Sequence, residues 1–182
     1  MTLSDVLATP LLRDRLASEA KSRQTRSVGP EDGLEFDSLE AIAERARQLC
    51  GAQSSGISVF RRREVVESRW LVATGVMSEY AGSGFPLRHS LCGVAAELGA
   101  TQLFVKPQRY FKWIEHTGVY ISEGLVTPLK VAEGRCCGTL WVMSHRGSRP
   151  RFDLRDAEEL EKLGARAAIM LLQNYPTDKV QC

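Results

Sequence analysis

Three stretches decide the fold: Glu123-Gly-Leu-Val-Thr-Pro-Leu-Lys-Val131, Cys136-Cys-Gly-Thr-Leu-Trp-Val-Met-Ser-His145 and Phe152-Asp-Leu-Arg-Asp-Ala-Glu-Glu-Leu160. The first two are apolar runs joined by a short charged turn, which predicts two neighbouring strands. In the third, Asp153 is a helix cap. Ala157, Leu160, Leu163, Ala167 and Met170 then recur at helical spacing to about residue 173. The order is strand, tight turn, strand, helix.

Working outward, Asp37 followed by Glu40 predicts a capping box, with Leu39, Ile42, Ala46 and Leu49 on one face of a helix over 38–49 that Gly51 stops. Gly56 to Phe60 reads as a strand, Arg61-Arg62-Arg63 as a solvated hairpin turn, and Arg69 to Thr74 as a strand carrying Trp70. Three glycines between Gly75 and Phe85 predict a long loop. Leu91 to Leu98 reads as a short helix ended by Gly99, and Gln102 to Lys106 as a short strand. Pro107 opens an aromatic run with Tyr110, Phe111 and Trp113. Thr9-Pro10 starts a further short helix in a segment ending at Gly29-Pro30. The expected organisation is an N-terminal helical or linker segment over 1–33, one domain over 34–175 and a flexible tail over 176–182. The fold class is α+β: a mostly antiparallel central sheet with the first and last long helices packed on one face.

The totals narrow the function. With 24 basic and 22 acidic residues, the formal net charge of +2 gives no electrostatic reason to expect a nucleic-acid or membrane-surface partner. The apolar run Ala167 to Leu172 is far short of the ~20 residues a membrane-spanning helix needs, and no secretory signal is visible. A cytoplasmic location is expected, and five cysteines suit reduced thiols better than a disulfide framework.

Residues 36–173 resemble the GAF family of sensor domains, in particular those ahead of bacterial histidine kinases. The likeness rests on Glu123-Gly-Leu-Val-Thr-Pro-Leu, Gly138-Thr-Leu-Trp-Val-Met-Ser-His, the helix start at Phe152, Cys92-Gly93, and Leu103-Phe104 to Tyr110-Phe111. The resemblance implies a ligand pocket on the sheet face away from the long helices, and a homodimer formed through the terminal helices. It also implies a histidine kinase or other output module as partner in trans. It does not extend to the methionine sulfoxide reductases of the family. His116 stands near where their nucleophilic cysteine precedes the Ser122-Glu123 pair, and Trp141 and Met143 stand where they use two aspartates. Covalent bilin attachment, commonly at a cysteine beside a histidine, has no Cys-His pair to use. His89, Cys92, His116, Cys136 and His145 show no metal-ligand spacing.

Strand alternation gives the candidate ligand wall. Thr139, Trp141, Met143 and His145 share one side of the last strand, with Leu140 and Val142 on the other. Glu123, Leu125 and Thr127 are grouped with the Trp141 side, and Trp70, Cys92, Phe104, Tyr110 and Trp113 complete the wall. Trp141 and Trp113 would stack on a planar ligand or fill a core; His145 would switch charge or lie at the surface. Glu123 would bind ligand or satisfy backbone donors of a nearby loop. Cys136 and Cys137, adjacent on a strand, point to opposite faces and serve as small apolar fillers. No cofactor is named by any motif. Two functions follow: a non-enzymatic sensor of an unidentified small molecule in a bacterial signalling pathway, or a dimerising interaction module. Thiol redox sensing and catalysis rank behind both. A packed region around Trp141, Trp113 and Met143 favours the module, and a cavity there favours sensing.

Overall fold

The computed structural model describes residues 37–62, 66–131, 135–145 and 152–175. The expected segment over 1–33, Arg63 and the tail over 176–182 lie outside the described residues. Helix α1 spans Leu39–Leu49, and strands β1 and β2 span Ser54–Arg62 and Val66–Gly75. After β3 (Gly84–Pro86) come helix α2 (Leu91–Leu98) and β4 (Gln102–Val105). Strands β5 (Ile121–Lys130) and β6 (Cys136–His145) lead to helix α3 (Leu154–Asn174). One sheet, ordered β3-β2-β1-β6-β5-β4, holds all six strands, and each neighbouring pair is antiparallel.

Alternation along the central strands sends apolar residues to both faces, so both must be covered. Ile57, Leu140 and Val142 lie under α1 and α3, whose own buried stripes include Ile42, Ala46, Leu160 and Ala167. The opposite face carries Phe60, Trp70, Trp141 and Met143 under α2 and the segments around it. At roughly 1.5–3 kcal/mol for each large apolar side chain buried, the two cores contribute on a similar scale.

The helix ends follow local chemistry. Ser38, not Asp37, caps α1: its hydroxyl accepts from Ala41 N at 3.2 Å, and the third helical residue is Ala41, so no reciprocal carboxylate exists. Gly51 and Gly99 take left-handed backbone, at φ 58 and 59, where α1 and α2 stop. Helix α3 has the full capping box: the Asp153 carboxylate accepts from the Arg155 and Asp156 amides, and Asp156 accepts from the Asp153 amide. The strands run longer than their apolar patterns suggest. Arg61 and Arg62 extend β1 instead of forming the turn, because they pair with Glu67 and Val66. The loop over 75–85 is punctuated by a 3-10 turn over Ser78–Tyr80 and ends in β3.

Ser38→Ala should lower unfolding free energy by about 1 kcal/mol in urea titration. Asp37→Ala should change it by less than about 0.5 kcal/mol.

Candidate functional site

The site is the sheet face beneath α2, and its centre is Trp141. This indole is fully buried; its Nε1 donates to Ser58 Oγ at 3.1 Å, and its ring centroid lies 4.6 Å from that of Trp70. It occupies the space above Gly56, where a Cβ would collide with Trp141 Cζ2 and the Val72 carbonyl. The aromatic contacts continue outward. Trp70 meets Phe85 at 5.5 Å and the ring edge of Tyr80 at 6.5 Å, and Phe85 stacks on Trp113 at 4.0 Å. Trp113, half-buried, donates from Nε1 to the His89 carbonyl at 2.8 Å. The whole series fixes the cover to the sheet.

That cover consists of α2 and two runs of short 3-10 turns. The second run, over Pro107–Thr117, is bounded by two left-handed residues, Lys106 at φ 50 and Gly118 at φ 69. Lys106 is not glycine and precedes proline, so its backbone is strained there. Its amide donates to Ser122 O at 2.9 Å. From within the cover, Phe111 and Ile114 are buried against the aromatic cluster, and Tyr80 Oη donates to Thr117 O.

Polar atoms on this face are few. Ser58, in the middle of β1, stands opposite Trp70 on one side and Thr139 on the other. Its hydroxyl also lies 3.7 Å from Cys92 Sγ. Ser68, on β2, stands opposite Phe60. Ser68 and Thr139 are both fully buried, and neither Ser68 Oγ nor Thr139 Oγ1 has a hydrogen-bond partner. At the rim, His145 Nδ1 donates to the Tyr120 carbonyl at 3.2 Å, and Nε2 accepts from Ser54 Oγ at 2.7 Å. Ser54 Oγ in turn accepts from the Met77 amide.

A GAF domain model matches residues 37–172. The chain belongs to the GAF family. No curated protein matches it in sequence. Among solved structures it is similar to the GAF-B domain of DevS from Mycobacterium smegmatis, at 22% identity over 72% of this chain and 88% of that one, TM-score 0.57. The GAF domain of a phosphoenolpyruvate-protein phosphotransferase from Acinetobacter is 16% identical over 95% and 96%, TM-score 0.61. A far-red cyanobacteriochrome photoreceptor is 13% identical over 76% and 86%, TM-score 0.57. At these identities the likeness is one of fold.

Within this GAF domain the expected wall divides. Trp70, Cys92, Phe104, Trp141 and Met143 meet in one buried cluster, with Trp113 packed against it, and Thr139 lies on the same face. Glu123, Leu125 and Thr127 do not join them. In the β5–β6 register they stand opposite Ser144, Val142 and Leu140, whereas Gly124 and Val126 face the Met143 and Trp141 side. Alternation had set the three apart from their neighbours; which set shares a face with Trp141 depends on a pairing register that alternation does not contain. Glu123 instead accepts from the Phe152 amide at 3.0 Å, one residue before the α3 cap. Thr127 packs opposite Gly164 of α3 and bonds Thr101. Tyr110 is exposed and outside the cluster. His145 is buried, not on the surface, because the Tyr120 and Ser54 bonds hold it inward.

The thiols are placed for packing. Burial pushes the Cys50 thiol well above its ordinary range, with Asp156, Glu159 and Asp153 adding to the effect. Cys137 is buried with its Sγ toward Leu129 O, and Cys136 is half-buried against the aromatic cluster. Among the described residues no group of three or more His, Cys, Asp or Glu side chains is arranged to hold a metal. No described helix is long and apolar enough to cross a membrane. Sequence reasoning missed Ser58 and Ser68, whose only signal was polarity at alternating, otherwise apolar strand positions.

Burial holds the pKa of His145 below 6.5, while the hydrogen bond to Tyr120 works in the opposite direction. The unfolded chain therefore takes up a proton at higher pH than the native one. Stability should be level above about pH 7 and fall as pH drops below about 6.5 toward the lower native value. Urea midpoints from pH 5 to 8 should show this slope, and His145→Gln should reduce it. Gly56→Ala should cost about 2–3 kcal/mol by overpacking against Trp141.

Proposed function

We propose that this GAF domain is a non-enzymatic signal-reception domain of a bacterial signalling pathway, taking a small molecule between the sheet and its cover. One observation carries the reading: two fully buried hydroxyls, Ser68 and Thr139, have no partner on a face otherwise packed with aromatics. An unsatisfied buried hydroxyl costs about 1–3 kcal/mol. Two of them weigh heavily against a total stability of about 5–15 kcal/mol. Alanine and valine would fill the same volume without that cost, so a face serving only as core has no use for them. The aromatic side chains close the site in the unliganded chain, and the ligand displaces part of the cover.

The interaction-module reading draws support from the same packing, since Trp141 and Met143 are buried and Trp113 lies on Phe85. It is also favoured by the exposed Ile169 and Leu172 on the last turns of α3, which lies beside α1. A homodimer through these terminal helices, coupled to a kinase or other output module in trans, fits either reading, as does a cytoplasmic location. The two diverge on ligand binding. A ligand that binds the native state raises the melting temperature by mass action. Thermal-shift panels of nucleotides, tetrapyrroles, simple aromatics and anions should include at least one compound that raises it by several degrees. Uniformly flat panels would leave the module as the better account.

A further inference from the structure

We propose that the molecule received on this face is an uncharged aromatic of two fused rings, whose hydrogen-bonding atoms meet Thr139 Oγ1 and Ser68 Oγ. The inference rests on the sensing reading and specifies the ligand class of that site. Its first support is what the face offers a ring. Trp70, Trp141, Phe85 and Trp113 already touch one another in series, so a planar molecule replacing one ring contact finds aromatic surface on both sides.

The second support is where the unpaired hydroxyls lie. Thr139 and Ser68 flank the central strand β1, one on β6 and one on β2, with Ser58 and Phe60 between them. Two strand spacings separate them, about 9–10 Å, with one further pleat along the strands. A fused bicyclic molecule with a polar atom at either end spans that gap, and a single ring reaches one hydroxyl. Each hydroxyl both donates and accepts, so keto, hydroxyl and ring N–H groups are all acceptable.

The third support is charge. Apart from the cysteine thiols, the buried ionisable side chains of the described domain are Glu123 and His145. Glu123 lies on the opposite face, bonded to Phe152. His145 sits at the rim with both ring nitrogens engaged by neutral groups. A phosphate or carboxylate brought under the cover would meet hydroxyls and indoles and no cation among the described buried residues. An ion desolvated without a partner costs several kcal/mol, which weighs against nucleotides and organic acids as occupants of this buried face.

Matched pairs of probes test this on the full chain. 5-Hydroxyindole, coumarin and phenol are the neutral set; 5-hydroxyindole-3-acetate, benzoate and AMP are the charged set. Because indole probes emit in the same band as Trp70, Trp113 and Trp141, binding is read from thermal shift and isothermal titration calorimetry. At least one neutral probe should bind, and its charged counterpart should bind more than about tenfold more weakly. Thr139→Val should melt higher than the parent without ligand, because an unpaired hydroxyl is removed, yet bind the neutral probe about fivefold more weakly. Ser68→Ala provides a second variant with the same pair of expected effects. Equal or tighter binding of the charged set overturns the proposed class and leaves sensing standing. Neutral probes that bind both variants as well as the parent also overturn it. Silence from all six probes, as expected if water alone satisfies the hydroxyls, overturns the class; only the flat broad panel described above would end the sensing reading.

Discussion

Trp141 over Gly56 is the contact on which the rest of the domain depends. The indole can lie there only because β1 has no side chain at residue 56. Its Nε1 is satisfied by Ser58, two residues along the same strand, and its ring is braced by Trp70 on the next strand over. Three strands are therefore tied by one side chain, across positions that backbone pairing already holds in register. Everything in the cover is then placed by contact with that aromatic centre, from Phe85 and Trp113 outward.

The two faces of the sheet use opposite solutions to the same problem. Under α1 and α3, aliphatic residues meet a long amphipathic helix whose start is fixed twice, by its own aspartate box and by Glu123 reaching across from β5. Under α2, large rings meet short turns, and hydrogen bonds to carbonyls at His89, Thr117 and Tyr120 hold those turns down. The first face is regular and relies on length. The second is irregular, includes a strained lysine at φ 50, and relies on aromatic bulk.

Much of the fold was legible because the signals were local. Helix α2 begins and ends where Leu91 and Gly99 predicted, and the β5, β6 and α3 run follows the opening sequence closely. The misplaced Glu123, Leu125 and Thr127 mark the boundary of that legibility. Their mutual alternation was correct, but their face relative to Trp141 is a property of the β5–β6 pairing, which also contains a bulge between Ile121 and Glu123. The pattern of the chain is periodic; the offset between two periodic strands is set in three dimensions. His145 illustrates the same limit: its neighbours in sequence suggested solvent, while its partners, Ser54 and Tyr120, come from elsewhere in the chain.

The sheet's outermost strands are its shortest, three residues in β3 and four in β4. Strand β4 pairs only with Glu123 to Val126, so among the described residues the outer side of β5 continues past it from Thr127 to Lys130. Pro128 falls within that unpaired stretch, where it is buried. Its missing N–H interrupts the row of donors that an incoming strand would use, and Glu161 and Ala165 of α3 stand beside it. A proline that looked like a family signature thus also works as a guard against edge-to-edge aggregation, keeping a half-covered strand from recruiting a foreign one.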